Sequence, residues 1–401
     1  MTEIVPVAIE LRHIIRNLKK WSKPRRVFPP VVFWLSKNRV IKRPKGNCLI
    51  IAPWNYPFLL TLSPLAAAIA AGNTVIVKPA ERTPHTSKII AELLSEIFPP
   101  EHVAVIEGGV EVSRQLLELP FDHIYFTGGT KIGKIVMEAA SKHLTPVTLE
   151  LGGKSPAVIC NDADLDLTAK RLAWGKLINS GQTCISPDYV LVPENLKDEL
   201  INKIKVYVQN NFAGSGSMPY CGLVDKRHTE KIDSIFQDAL NKGAVPLYLH
   251  DSAEDGKFKP VLLTGVKNDM DVMKEEIFGP ILPIITYNDL SEIGETVALN
   301  PNPLTFYIFG NDKRTIKYVE NNIPAGNIVI NGTLLHFANY KLPFGGIRQS
   351  GLGRGHGYAG FKEFSNEISV MKQSKFSLPA LLFPPYTGVK KWLIEFTEKY
   401  L

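Results

Sequence analysis

What this chain lacks narrows it first. Only four cysteines occur in 401 residues: Cys48, Cys160, Cys184 and Cys221. None sits in a CxxC pair and their spacing suits no zinc site, which excludes a disulfide scaffold and points to reduced thiols in a cytosolic setting, any one of them able to be catalytic. No secretory leader is legible, and no apolar run reaches the length of a membrane-spanning helix. No internal repeat is evident, which sets repeat architectures aside. Acidic residues are absent between Glu10 and Glu81, so residues 1–80 carry thirteen basic groups against two acidic ones, +11, while the remainder carries 33 against 37, −4. Aromatic interleaving and known binding motifs are missing from that basic stretch, which argues against a nucleic-acid surface. A solvated basic face, or a patch facing anionic lipid or an acidic partner, remains.

What is present is the composition of a soluble globular protein, 45% hydrophobic and 21% charged, with 30 glycines and 29 prolines spread along the chain as turns. Its length predicts two domains with connecting arms. Apolar residues at helical spacing (Val7, Leu11, Ile14, Ile15, Leu18) predict a surface helix over 4–21, ended by Pro24, Pro29 and Pro30. Val40-Ile41 before Pro44-Lys45-Gly46 reads as one arm of a hairpin. Strands then alternate with helices: strands at 48–52, 74–77, 103–106 and 123–126, helices at 59–71, 86–98, 110–119 and from Lys131. That order predicts an α/β protein with a parallel sheet covered on both faces. Thr83-Pro84 and the Asp162/Asp164 pair are the expected helix caps. Further on come a helix over 165–179, a strand over 189–192, a helix over 194–210 and apolar segments at 281–286, 304–309 and 328–330. A tail helix carries Val389, Trp392, Leu393, Phe396 and Tyr400 on one face.

Several motifs carry chemistry. Gly128-Gly129-Thr130-Lys131-Ile132-Gly133-Lys134 fits GxxxxGK, but Ile135 stands where a P-loop needs Ser or Thr for magnesium. The remaining readings are a glycine loop placing backbone N–H groups beside a dinucleotide phosphate and a plain strand–helix turn. Pro53-Trp54-Asn55-Tyr56-Pro57 lies at the carboxyl end of the first strand, where open α/β sheets bind ligands. The Asn55 amide can donate to an oxyanion there, or simply shape a turn. Lys78 and Glu81 can both bond ribose hydroxyls, or pair with each other on the surface. Glu150 lies inside an otherwise apolar strand, Thr148-Leu149-Glu150-Leu151, before Gly152-Gly153. Burial would raise its pKa and suit it to general-base work, unless the strand turns it to solvent. Cys184 sits on a polar, glycine-bearing loop between the two halves, a better place to react than the apolar strands holding Cys48 and Cys160.

Together these segments resemble the aldehyde dehydrogenase superfamily, in particular its class 3 branch, which acts on fatty and aromatic aldehydes. The residues are Pro53-Trp54-Asn55-Tyr56-Pro57, Val77-Lys78-Pro79-Ala80-Glu81, Phe126-Thr127-Gly128-Gly129-Thr130, Glu150-Leu151-Gly152-Gly153-Lys154-Ser155-Pro156, Ser180-Gly181-Gln182-Thr183-Cys184, Glu275-Glu276-Ile277-Phe278-Gly279-Pro280 and Leu342-Pro343-Phe344-Gly345-Gly346. Ser350-Gly351-Leu352-Gly353 with His356-Gly357 looks like the class 3 variant. Seven motifs in the family's order span nearly the whole chain.

The resemblance implies a Rossmann-type parallel-sheet cofactor domain, an α/β catalytic domain and bridging strands. Their expected extents are 1–180 with a hairpin near 27–46, then 181–358, an oligomerisation strand within 359–374 and a tail helix within 375–401. It implies Cys184 as nucleophile, Glu150 as base, and Asn55 with the Cys184 N–H as oxyanion hole. Trp54, Lys78, Glu81, Gly128, Gly129, Thr130, Gly133, Glu276 and Phe278 would bind NAD or NADP, and no metal is implied. It further implies an aldehyde substrate, a homodimer, no nucleic acid and a cytoplasmic setting, with the basic N-terminal region or the tail helix open to peripheral membrane contact. Gly129 departs from the family's usual Ser, a change expected to matter little because backbone groups do the binding. The family normally has another helical stretch before the point matching Met1, and its loss would uncover apolar surface. Two alternatives follow: an acyl-transfer relative that releases a coenzyme A thioester, disfavoured by Glu150, and a catalytically impaired short subunit with a dimerisation or membrane role.

Overall fold

The computed structural model describes residues 2–30, 33–212, 220–249, 257–375 and 383–400. In chain order the elements are α1 (Ile4–Trp21), β1 (Arg25–Val27), β2 (Lys37–Pro44), β3 (Asn47–Ile51), α2 (Leu59–Ala71), β4 (Thr74–Lys78), α3 (Pro84–Ile97), β5 (Val103–Val105), α4 (Val110–Leu117), β6 (His123–Thr127), α5 (Thr130–Ser141) and β7 (Val147–Glu150). There follow β8 (Pro156–Ile159), α6 (Leu165–Leu177), β9 (Tyr189–Pro193), α7 (Glu194–Phe212), α8 (Lys226–Asn241), β10 (Val245–Tyr248), β11 (Val261–Thr264), α9 (Asp271–Lys274) and β12 (Ile281–Tyr287). The last are α10 (Leu290–Ala298), β13 (Thr305–Phe309), α11 (Lys313–Asn322), β14 (Asn327–Ile330), β15 (Gly351–Leu352), α12 (Gly357–Glu363), β16 (Ser365–Lys372) and α13 (Gly388–Tyr400).

The predicted strand–helix alternation resolves into two sheets and a small third. The first runs β15-β7-β6-β3-β4-β5, parallel except where β15 meets β7. Its strands are apolar along their length because helices cover both faces, with Cys48, Ile50 and Val77 in one core layer and Leu49, Ile124 and Leu149 in the other. After β5 the chain returns to the opposite side of β3 and builds β6, so β3 and β6 flank the point where the order reverses, where such sheets leave a ligand crevice. Register aligns Ile51 with Lys78 and with Phe126, and Thr127 with Glu150, so the carboxyl ends of four strands share one edge. The second sheet runs β10-β11-β12-β9-β8-β13-β14. The third is an antiparallel ribbon, β1-β2-β16, that includes the hairpin foreseen near Val40.

Four expectations need correcting. The division at 180/181 places β8 and α6 in the cofactor unit, yet β8 pairs with β9 and β13 of the second sheet. The crossing falls at 151–155, and a local strand–helix pattern cannot reveal which sheet a strand joins. The helix expected over 165–179 ends at Leu177, because Asn179 and Ser180 both turn left-handed. The apolar stripe on α1 is rotated: Val7, Glu10, Ile14 and Trp21 are buried, whereas Leu11 and Ile15 are exposed. Of the two caps expected, Asp164 accepts the Leu167 N–H, while Thr83 makes no side-chain cap before Pro84. On α13, Val389, Trp392 and Phe396 are exposed; the side chains of Leu393 and Tyr400, and the tail residues 376–382 and 401, lie outside the described residues. Among the described residues no helix is long and apolar enough to cross a membrane.

Candidate active site

Cys184 is reached through a sharp turn. Asn179, Ser180 and Gly181 adopt φ of 51°, 53° and 74° in succession, a left-handed run in which only the glycine is at ease. A Cβ at Gly181 would stand 2.3 Å from the Gly279 carbonyl oxygen, so the cysteine loop lies against the segment carrying Phe278. Side chains beyond β3 lock the loop. Asn55 Nδ2 donates to the Gln182 carbonyl at 3.0 Å, Asn179 Nδ2 to the Asn55 carbonyl at 2.9 Å, and the Tyr56 hydroxyl meets Thr183 Oγ1 at 3.0 Å. Cys184 itself is half-buried, and its thiol is pushed up by burial first and then by the Glu276 and Glu150 carboxylates. Its resting form is therefore the thiol. A base or a nearby positive charge is needed to make it a nucleophile.

Glu150 closes β7, and its carbonyl accepts the Gly128 N–H at 3.0 Å. The side chain does not turn to solvent: both carboxylate oxygens are buried, with the Gly355 N–H and the Tyr125 hydroxyl turned towards them. Burial holds this carboxyl well above the usual carboxylate range, Glu363 adds to the effect and the Arg354 guanidinium opposes it. A base in that environment holds its proton more tightly than an ordinary carboxylate does.

Between Cys184 and the edge of the first sheet lies a cleft of about 580 Å³, walled by Trp54, Asn55, Gly128, Gly129, Thr130, Glu150, Glu276 and Phe278. Glycine is required at two places in it. A Cβ on Gly128 would sit 2.5 Å from the Phe126 ring, and one on Gly152 would sit 2.1 Å from Glu276 Oε2. Gly129 has open space around its Cβ position, so a serine would fit there too. Gly133 is buried where α5 packs on Leu151, which aims the helix N-terminus at the cleft. Lys78 and Glu81 do stand at the carboxyl end of β4. They pair with each other at 2.5 Å and lie off the cleft wall.

The cleft's far wall rests on a buried charge cluster that the motifs did not single out. Lys154 Nζ meets Asp188 Oδ2 at 2.5 Å and donates to the carbonyls of Val272 at 2.8 Å and Glu275 at 3.1 Å. Lys176 lies 3.7 Å from the same carboxylate, its pKa lowered to about 8 by burial against the pull of Asp188. Burial raises Glu276 to about 8, with Asp188 adding to it. Phe278, at φ 56°, packs edge-on to Trp54 at 5.3 Å, while Arg82 covers the other part of that indole at 4.5 Å and pairs with Asp225 at 2.6 Å. Lys154 could have been found, since it follows the two glycines of the Glu150 motif; Asp188 and Lys176 carry no local signal. On the other side of Cys184, Phe337, Phe344 and His356 form an aromatic wall, with ring centroids 4.9 Å apart for Phe337 and Phe344.

The residues suit a dinucleotide: a helix N-terminus, glycines that admit close backbone approach, and a cleft ending at a thiol and a buried carboxyl. These features define a cleft shaped for a dinucleotide that ends at a thiol and a carboxyl. The aldehyde dehydrogenase family profile matches residues 3–370. A probable coniferyl aldehyde dehydrogenase of Pseudomonas aeruginosa is 41% identical over 387 residues, covering 96% of this chain and 81% of that protein. Aldehyde dehydrogenase family 3 member A2 of Mus musculus is 40% identical over 393 residues, covering 97% and 80%. The substrate-bound structure of Staphylococcus aureus AldH superposes with a TM-score of 0.93 at 40% identity, covering 99% of this chain and 86% of that one. The chain belongs to the aldehyde dehydrogenase family, on the side of its class 3 members. It is an oxidoreductase that acts on the aldehyde group with NAD or NADP as cofactor.

Proposed function

We propose that this enzyme converts apolar aldehydes, aliphatic of medium or long chain or aromatic, to carboxylic acids through a thioester on Cys184. The observation that carries this reading is the placement of Cys184 and the buried carboxyl of Glu150 on one cleft. Glu150 is the general base. Asn55 Nδ2, held beside the cysteine loop, and the Cys184 N–H receive the oxyanion that forms when sulfur adds to the carbonyl. Gly128, Gly129, Thr130 and Gly133 cradle the pyrophosphate, Lys78 and Glu81 meet the adenosine ribose, and Glu276 and Phe278 with Trp54 hold the nicotinamide end. The cofactor, when bound, supplies the hydride acceptor and a positive charge near the thiol. Once the thioester exists, Glu150 takes a proton from water as it attacks the acyl carbon, and the acid leaves. The wall of Phe337 and Phe344 selects apolar substrates by excluding water from their side chains.

The working unit in this proposal is a homodimer in which the free edge of β16, opposite the side paired with β2, extends the partner's sheet. The setting is cytoplasmic, with the basic N-terminal segment or α13 available for peripheral contact with anionic lipid. The deciding experiment is a panel of aliphatic and aromatic aldehydes with NAD or NADP, read as cofactor reduction at 340 nm. Turnover with the longer or aromatic members, abolished in Cys184→Ala, is expected; a folded protein inert towards every aldehyde would refute it.

A further inference from the structure

One polar side chain beside the general base has no task in the mechanism above. Tyr125 lies on β6, where the register sets it beside Thr148 of β7 and sets Thr127 beside Glu150. Side chains two residues apart along a strand share a face, so Tyr125 and Glu150 are diagonal neighbours on one side of the sheet. The tyrosine ring is buried and stacks on Phe364, with centroids 5.6 Å apart and planes 16° from parallel. Its hydroxyl faces the Glu150 carboxyl.

The late part of the chain closes the other side. Phe344 and Gly355 pair across an isolated bridge, and two glycines there leave room for the carboxylate. A Cβ on Gly355 would stand 2.8 Å from the Tyr125 hydroxyl oxygen and 3.6 Å from Glu150 Oε1. One on Gly345 would stand 3.1 Å from both Glu150 Oε1 and Arg354 Nη1. Oε1 is therefore the oxygen that lies towards the tyrosine. Glu150 also borders the open cleft that holds Cys184. Its carboxyl thus spans an inner side with a fixed donor and an outer side with the thiol.

We propose that Tyr125 is a positioning residue for the general base: its hydroxyl donates to Glu150 Oε1 and leaves Oε2 to take the proton of the attacking water. The inference rests on the reading of Glu150 as the base of thioester hydrolysis. In that step the water oxygen joins the acyl carbon and the water's proton passes to Oε2. The carbon–sulfur bond then breaks, and the Cys184 sulfur keeps the electron pair. Tyr125 holds its own proton throughout, because burial and the carboxylates of Glu150, Glu10 and Glu363 keep it well above its usual range. A hydrogen bond given to the carboxylate favours the charged form and offsets part of the burial that opposes ionisation. Without it the base is protonated over a wider range of pH and free to turn.

Other charges face Glu150 as well. Arg354, just ahead of α12, opposes the effect of burial, while Glu363 on α12 reinforces it and accepts the Arg354 N–H at 3.3 Å. His356 and Cys184 share the inner cavity with Glu150, and the imidazole is neutral, its pKa lowered to about 3 by burial and by His336. Glu276 stands on the same cleft, and α2 brings no titratable residue. Phenylalanine at position 125 keeps the ring on Phe364 and removes the hydroxyl alone, so these charges stay in place.

The test acylates the full-length enzyme with p-nitrophenyl acetate and follows hydrolysis of the acetyl-enzyme across the pH range, with mass spectrometry locating the acetyl group on Cys184. In Tyr125→Phe, hydrolysis at pH 7 should be about tenfold slower and the midpoint of its pH profile about one unit higher, with the deficit fading above that midpoint. Placed on Glu150→Gln, the same substitution should cause no further slowing, because its effect runs through that carboxylate. A Tyr125→Phe profile that matches wild type, while Glu150→Gln hydrolyses slowly, would overturn the inference and leave the base assignment standing. Equal slowing at every pH would overturn it too, since that is what loosened packing gives. Hydrolysis at the wild-type rate in Glu150→Gln, or no acetyl-enzyme on Cys184, would sink the catalytic assignment itself and this inference with it.

Discussion

Replacing Lys154 by methionine removes a charge that three buried groups depend on. The side chain is 1% exposed and its partner Asp188 4%. Methionine fills nearly the same volume, so the loss is electrostatic and not a cavity. Asp188 would keep only Lys176 at 3.7 Å and the Ile277 N–H at 3.3 Å, and the carbonyls of Val272 and Glu275 would lose their donor. Breaking a buried pair from one side costs about 3–5 kcal/mol, because the remaining charge stays desolvated. With an unfolding entropy of roughly 2.1 cal/mol/K per residue, a chain of this length should melt about 4–6 °C lower. The Glu275 carbonyl anchors the segment that presents Glu276 to Gly152, so the KM for cofactor should rise about tenfold, roughly 1.4 kcal/mol. Differential scanning fluorimetry and cofactor titrations at saturating aldehyde read both effects. The double variant Lys154→Met, Asp188→Asn should recover part of the stability, since the orphaned charge is gone. A single variant that melts within a degree of wild type, with the same cofactor KM, would refute the role assigned to this cluster.

Two further outcomes follow from the buried carboxyls. Glu150→Gln should give one fast equivalent of reduced cofactor and then stall, with steady turnover down about 10²–10⁴-fold. Because only the ionised base works and burial holds it above its ordinary range, wild-type hydrolysis should climb as pH rises, and quenched-flow detection of a rapidly clearing acyl-enzyme in the variant would contradict this. Glu10, raised from 4.5 to about 7, is protonated in the fold where the unfolded chain is ionised. The stability it contributes is complete below pH 4.5 and is lost as pH rises through 7, about 3 kcal/mol at 1.36 kcal/mol per pH unit. Glutamine stays neutral and escapes this loss, so wild type should fall progressively below Glu10→Gln in melting temperature as pH rises through 7; parallel curves from pH 5 to 8 would show the shift to be absent.

Much of the site was legible in the sequence because its parts sit at strand ends. Asn55, Gly128 and Glu150 each follow or close an apolar strand, and register brings those ends to one edge without further information. Cys184 stood out by its polar, glycine-bearing loop. What stayed hidden depends on distant partners. Asp188 gains its role from Lys154, 34 residues away, and nothing near it announces a buried charge. Glu10 has no local signal of burial, since Ser63 and Gly357, which satisfy it, come from α2 and α12. The left-handed pair Asn179–Ser180 was invisible because neither residue type demands that conformation.

The short pairing of Gly351 and Leu352 with Glu150 and Leu149 reaches beyond the site. It returns the chain, after the whole second sheet has been made, to finish the edge of the first, and α12 then packs on α1 and α2. The unit around the first sheet is therefore assembled from two stretches, within residues 2–150 and 351–363, with the second sheet inserted between them. A fragment cut anywhere after β7 would present an unfinished strand edge and an uncovered helix pair to solvent. Dissecting this enzyme into separately expressed halves would consequently require fusing the late segment back onto the early one.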